Sequence, residues 1–127
     1  MIFIALSMFF CHIIDDFCLQ QSFLANGKQR EWWAKNAPDA AYKYDYLECL
    51  FIHSLSWAFM IMLPIAWKLN FDVGNKFAIV FLANTAVHGI VDHLKANLKA
   101  INLIQDQAIH FMQIAITIQL FKSSLGG

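Results

Sequence analysis

Three pairs of residues recur at one spacing inside stretches that otherwise read as hydrocarbon: His12 with Asp16, His88 with Asp92, and Asp106 with His110. The stretches around them are near the roughly 20 residues that carry a helix across a bilayer core. A backbone in lipid must satisfy its own hydrogen bonds, so such segments form helices or a closed barrel. Segment length and the lack of period-two alternation favour helices. On a helix, residues four apart share a face, so each pair projects a carboxylate and an imidazole from one side.

Four segments of this kind are expected, at about 2–19, 47–67, 77–94 and 101–121. The predicted fold is all-α: one domain over residues 1–127, with four transmembrane helices in an up-down-up-down bundle. Composition agrees. Hydrophobic residues are 59% of the chain, with twelve Phe and four Trp, and charged residues are 14%, against about 25% in soluble domains. A soluble domain of this length has too little interior to hide that much apolar surface. The first segment lacks a positively charged start and a small-residue cleavage site, so a retained helix is expected. The odd count of three Cys, without CxxC spacing, argues against a disulfide framework or a zinc ribbon.

The long connection, about 20–45, interleaves Trp32, Trp33, Tyr42, Tyr44 and Tyr46 with Lys28, Arg30, Lys35 and Lys43. That mixture suits an interfacial segment at headgroup level, as an anchor or as a lid over a substrate. Six Lys or Arg follow the first and third helices (Lys28, Arg30, Lys35, Lys43, Lys95, Lys99), and three lie on the other face (Lys68, Lys76, Lys122). The positive-inside rule then places the first face in the cytoplasm. Net charge is zero with neutral His and no basic tail is present, so no nucleic-acid partner is expected.

In an up-down-up-down bundle His12, Asp16, His53, His88, Asp92, Asp106 and His110 all fall in the same half of the membrane. Titratable groups in lipid are costly unless paired, hydrated or metal-bound. A mixed His and carboxylate set suits zinc first, with manganese or iron as alternatives, and does not suit calcium. A four-helix bundle that projects carboxylates and His at helical spacing into its core is a known way to hold two metals. Seven candidates exceed one tetrahedral ion, so one ion with an outer shell or two ions are expected. Asp15 is within reach of His12 and could exchange roles with Asp16. Cys49 shares a face with His53 and is a weaker candidate. His93 is read as interfacial.

The motifs HxxxDFxLQ (His12, Asp16, Phe17, Leu19, Gln20), LAxxK (Leu24, Ala25, Lys28), a lone His53, HxxxDxxK (His88, Asp92, Lys95) and DQxxH (Asp106, Gln107, His110) follow in order. Together they resemble a small bacterial and phage membrane-protein family of unknown function. The chain is more loosely similar to membrane-bound metal-dependent hydrolases, which carry scattered His and Asp on short transmembrane helices.

A bound transition metal lowers the pKa of water and polarises a phosphoryl oxygen, and Asp106 or Asp15 could act as general base. Lys95, Lys28 and Arg30 on the same face suit an anionic group. The expectation is a membrane-embedded, metal-dependent hydrolase of the bacterial inner membrane, acting on a lipid-linked phosphate or similar amphiphile. One alternative is a proton- or ion-conducting bundle with a His/Asp relay, for which homo-oligomers would be needed. Another is a structural or interaction protein with a structural metal.

Overall fold

The structure is a computed structural model that describes residues 1–126, and among these there is no β-strand. Helix α1 (Ile2–Ile13) runs directly into a wider π-helical turn (Ile14–Leu19). Two short helices follow, α2 (Ser22–Gly27) and α3 (Arg30–Asn36), then a 3₁₀ turn (Ala40–Tyr42). Three long helices complete the chain: α4 (Asp45–Lys68), α5 (Asn75–Ala96) and α6 (Leu103–Phe121).

Local chemistry sets the ends. Asn102 and Gln105 cap α6 reciprocally, each side chain meeting the other's backbone N–H at 3.0 Å. Asn70 and Phe71 adopt left-handed backbone (φ 52° and 60°) to end α4; Asn tolerates that region, whereas a bulky Phe rarely enters it.

The long helices form a closed ring in which α1 packs on α4 and α6, and α5 packs on α4 and α6. Neighbours are antiparallel. Numbering falls on one helix as it rises on the other: Lys95 meets Asp106 and Asn84 meets Thr117 across α5–α6, while Asp15 meets Ser56 and His12 meets Trp57 across α1–α4. The up-down-up-down order therefore holds for the bundle.

The interior is divided by depth. One half is an apolar core of Ile4, Met8, Trp57, Ala58, Ile61, Met62, Ile65, Ile114 and Phe121. The other half buries His12, Asp15, His53, His88, Asp92, Asp106 and His110. The outside is apolar as well: Phe3, Phe10, Phe59, Ile79, Leu82, Ile90, Ile104 and Ile116 are all exposed. A bundle with acids inside and phenylalanines outside inverts the arrangement usual in water.

Three helical segments are long and apolar enough to cross a membrane: Ile2–Leu19, Ala40–Lys68 and Asn75–Ala96. Four had been expected. Helix α6 has the length, but Asp106, His110 and the four glutamines Gln105, Gln107, Gln113 and Gln119 lower its mean hydropathy. Its polar residues are partly turned inward, since Asp106, His110, Gln113 and Thr117 are buried, while Ile104, Met112 and Ile116 face out.

The 20–45 connection is folded and pinned to the bundle. Asn97, just past α5, accepts from the Arg30 backbone N–H (2.7 Å) and donates to the Lys28 carbonyl (2.9 Å). Trp33 donates to the Gly27 carbonyl (2.8 Å), and Phe23, Trp32, Trp33 and Tyr42 pack ring on ring.

Helices α4 and α5 approach closely at Gly89, where an added Cβ would lie 2.9 Å from Ser54 Oγ. That hydroxyl is held by the Leu50 carbonyl at 2.6 Å. Gly89→Ala should therefore destabilise by about 1–3 kcal/mol, the usual cost of overpacking, and adding Ser54→Ala should restore most of it. Unfolding of the four variants in detergent checks this; loss without restoration would place the strain elsewhere.

Candidate metal centre

The π-helical turn is the local device that builds the site. In an α-helix adjacent residues point about 100° apart. Here the helix widens at its end, with the Gln20 N–H bonding the Asp15 carbonyl five residues back (3.1 Å). Both Asp15 and Asp16 then face the bundle interior, with side chains 1% and 9% exposed. Such turns often mark functional positions.

Asp15 and Asp16 flank one imidazole. Asp15 Oδ2 lies 3.6 Å from His53 Nδ1, and Asp16 Oδ1 lies 3.5 Å from His53 Nε2. The same Nε2 is 3.5 Å from Asp92 Oδ2. The other oxygen, Asp92 Oδ1, lies 3.7 Å from His110 Nε2 and 3.9 Å from His88 Nε2. Asp106 Oδ1 is 3.4 Å from His110 Nε2. The seven residues picked out as ligands, with Asp15, thus meet in one buried space drawn from α1, its π turn, α4, α5 and α6.

The carboxylates share a pattern, each having one oxygen held by the protein. Asp15 Oδ1 accepts from Ser56 (2.5 Å), Asp16 Oδ2 from Gln107 (3.2 Å), Asp92 Oδ2 from Lys28 (2.5 Å), and Asp106 Oδ2 from Lys95 (2.5 Å) and Gln107 (3.2 Å). The opposite oxygens of Asp15, Asp16 and Asp106 are buried without any hydrogen-bond partner, as are His110 Nε2 and both ring nitrogens of His88. Buried polar atoms are almost always paired, so a group of them needs a cause.

Hydrogen bonds from groups of fixed polarity set the tautomers. The Asn84 backbone carbonyl only accepts, so Gln113 turns its NH₂ toward it (3.3 Å) and its oxygen toward His110 Nδ1 (3.2 Å). His110 Nδ1 therefore carries a proton, and Nε2 faces the carboxylates of Asp92 and Asp106, as a lone pair when the ring is neutral. Lone pairs facing lone pairs repel unless a cation lies between them. His12 differs. The Trp57 indole only donates, reaching His12 Nδ1 at 2.8 Å, so Nε2 carries the proton and donates to Gln107 Oε1 (3.0 Å). Both His12 nitrogens are thereby taken by the protein, and His12 orients Gln107, which in turn holds Asp16 and Asp106.

Trp57 also floors the cluster, stacked on His88 (centroids 4.2 Å, 20°), and His88 stacks in turn on His110 (4.2 Å, 27°). Two groups have donor atoms close enough to hold one ion each: Asp16, His53 and His88, and His88, Asp92 and His110. Donors about 2.0–2.1 Å from a tetrahedral ion stand roughly 3.4 Å apart, near the 3.4–3.9 Å seen between the facing nitrogens and oxygens.

Cys49 lies outside both groups, its Sγ against Gly27. His93 is half-buried and stacks on Tyr46. Lys28 is buried, and Lys95 is 30% exposed at its side chain. Sequence periodicity did not single out Trp57, Ser56, Gln107 or Gln113 as partners. Only Lys28 and Gln107 had a signal, through the LAxxK and DQxxH motifs.

Fold and site together define an all-helical bundle with a buried His/Asp centre. The chain belongs to the family described as protein of unknown function (DUF3307), whose model matches residues 2–125. No curated protein and no solved structure matches it, and the looser likeness to membrane-bound hydrolases has no counterpart in these comparisons.

Gln107 joins His12, Asp16 and Asp106 by hydrogen bonds. Gln107→Leu leaves a buried donor and two carboxylate oxygens short of a partner, and should cost about 1–3 kcal/mol. Unfolding in detergent with metal chelated measures it; an unchanged midpoint would mean that water replaces the amide.

Proposed function

We propose that the protein is a membrane-embedded, metal-dependent hydrolase whose His/Asp centre acts on a lipid-linked phosphate or a similar amphiphile in the bacterial inner membrane. The observation that carries the metal reading is the set of bare donor atoms aimed at one another: Asp15 Oδ2, Asp16 Oδ1, Asp106 Oδ1, His110 Nε2 and the two nitrogens of His88. The donor set of imidazole and carboxylate suits zinc, manganese or iron. Gln113 behind His110 is the kind of outer partner that metal-binding histidines usually have.

The membrane reading extends to α6 as a fourth span, because its exposed face carries Leu103, Ile104, Met112, Ile116 and Leu120. The aromatic cluster of α2 and α3 suits the headgroup layer, with the site-bearing end on the cytoplasmic side.

A bound divalent ion would lower the pKa of water and polarise a phosphoryl oxygen. Asp106 Oδ1, free of protein partners, is placed to take the proton as water oxygen bonds phosphorus. As the ester P–O bond breaks, the same carboxyl group returns that proton to the leaving alcohol oxygen. Lys95, the more exposed of the two lysines, would pair with the anionic headgroup.

A relay reading draws on the ladder from His110 through Gln113 and Asn84 to Thr117. Side-chain amides donate and accept but do not readily pass protons on, which favours the metal reading.

Elemental analysis of detergent-purified protein should find zinc, manganese or iron in wild type and little in His88→Ala. Wild type should hydrolyse a phosphorylated lipid, and Asp106→Asn should lower the rate about 10²–10⁴-fold, the usual range for general acid–base catalysis. Absence of metal after reconstitution would remove this reading; bound metal without turnover would leave a structural centre.

A further inference from the structure

We infer that the centre has two cation positions and that the ammonium of Lys28 stands in for a divalent ion at one of them. The inference rests on the metal reading above. Asp92, a member of the group with His88 and His110, turns its two oxygens to different sides. Oδ1 faces His88 and His110, while Oδ2 faces His53 Nε2 at 3.5 Å. His53 Nε2 is also 3.5 Å from the bare Asp16 Oδ1, and Asp16 and His53 with His88 form the second donor group, bordered by Asp92 Oδ2. A carboxylate with one oxygen toward each of two ions is a familiar way to hold such a pair.

Lys28 reaches the Asp92 border of this second position. Its Nζ lies 2.5 Å from Asp92 Oδ2, the oxygen that faces His53. The Gln20 amide, turned with its carbonyl to the ammonium, accepts from it at 2.5 Å. The approach is built in, because Asn97 clamps the backbone at Lys28 and Arg30. A long cationic side chain is seldom buried without a partner of opposite charge, and Lys28 is 6% exposed.

Charge balance points the same way. Four carboxylates (Asp15, Asp16, Asp92, Asp106) meet two ammonium groups (Lys28, Lys95). With neutral imidazoles two negative charges remain, which one divalent ion cancels. That ion belongs with His88, Asp92 and His110, on the Oδ1 side of Asp92. Removing the Lys28 charge frees Asp92 Oδ2 at the border of the Asp16–His53–His88 position and supplies the charge deficit a second ion needs.

The test is the number of zinc equivalents bound by detergent-purified full-length protein dialysed against one fixed free Zn²⁺ concentration. Wild type should hold about one and Lys28→Met about two. Adding Asp16→Asn to Lys28→Met should return the count to one. Lys28→Gln, which keeps a polar end for Gln20, should also bind two and covers the case in which the Met variant misfolds. One equivalent in both Lys28 variants, or two already in wild type, would overturn the stand-in role. No zinc in any variant would overturn the metal centre itself.

Discussion

Four carboxylates buried beside four imidazoles in the lower-dielectric interior of a small bundle set the terms for everything around them. An ionised acid removed from water must be compensated by hydrogen bonds or by charge. The chain compensates one oxygen of each acid, through Ser56, Gln107, Lys28 and Lys95. The remaining oxygens point inward at imidazole nitrogens. The π turn, the Lys28 strap and the Trp57 floor all follow from this need, since each either aims a donor atom at the cluster or seals it.

That demand also explains the division of the bundle by depth. Packing around Ile61, Met62, Ile65 and Ile114 holds the helices together in one half. The other half can then carry polar groups, with side-chain amides and indole fixing which nitrogen of His12 and His110 bears a proton. Tautomers fixed in this way make the two histidines different. His110 turns an unpartnered Nε2 to the cluster, whereas His12 is spent on Trp57 and Gln107.

The apolar exterior and the polar interior belong to the same design. Three helices are long and apolar enough to cross a membrane, Phe and Ile cover the outside of the bundle, and Asp15, Asp92 and Asp106 are buried within it. Helix α6 shows the limit of reading this from averages. Its glutamines and Asp106 lower its hydropathy below that of the other long helices, yet Ile104, Met112 and Ile116 face outward as Phe10 and Ile79 do on α1 and α5.

The sequence by itself determined the helices, their order and the convergence of His12, Asp16, His53, His88, Asp92, Asp106 and His110. Helical period and span length fix which residues share a face and a depth, and both are local properties. Tertiary structure alone decided which atoms of those residues remain bare. That depends on partners far away in the chain: Trp57 for His12, Gln113 and Asn84 for His110, Lys28 for Asp92, Ser56 for Asp15. It also decided that Asp15 and Asp16 both turn inward, because the widening of α1 into a π turn leaves no mark in the hydrophobic pattern. Periodicity carries direction along a helix; hydrogen-bond satisfaction is a property of the assembled space between helices.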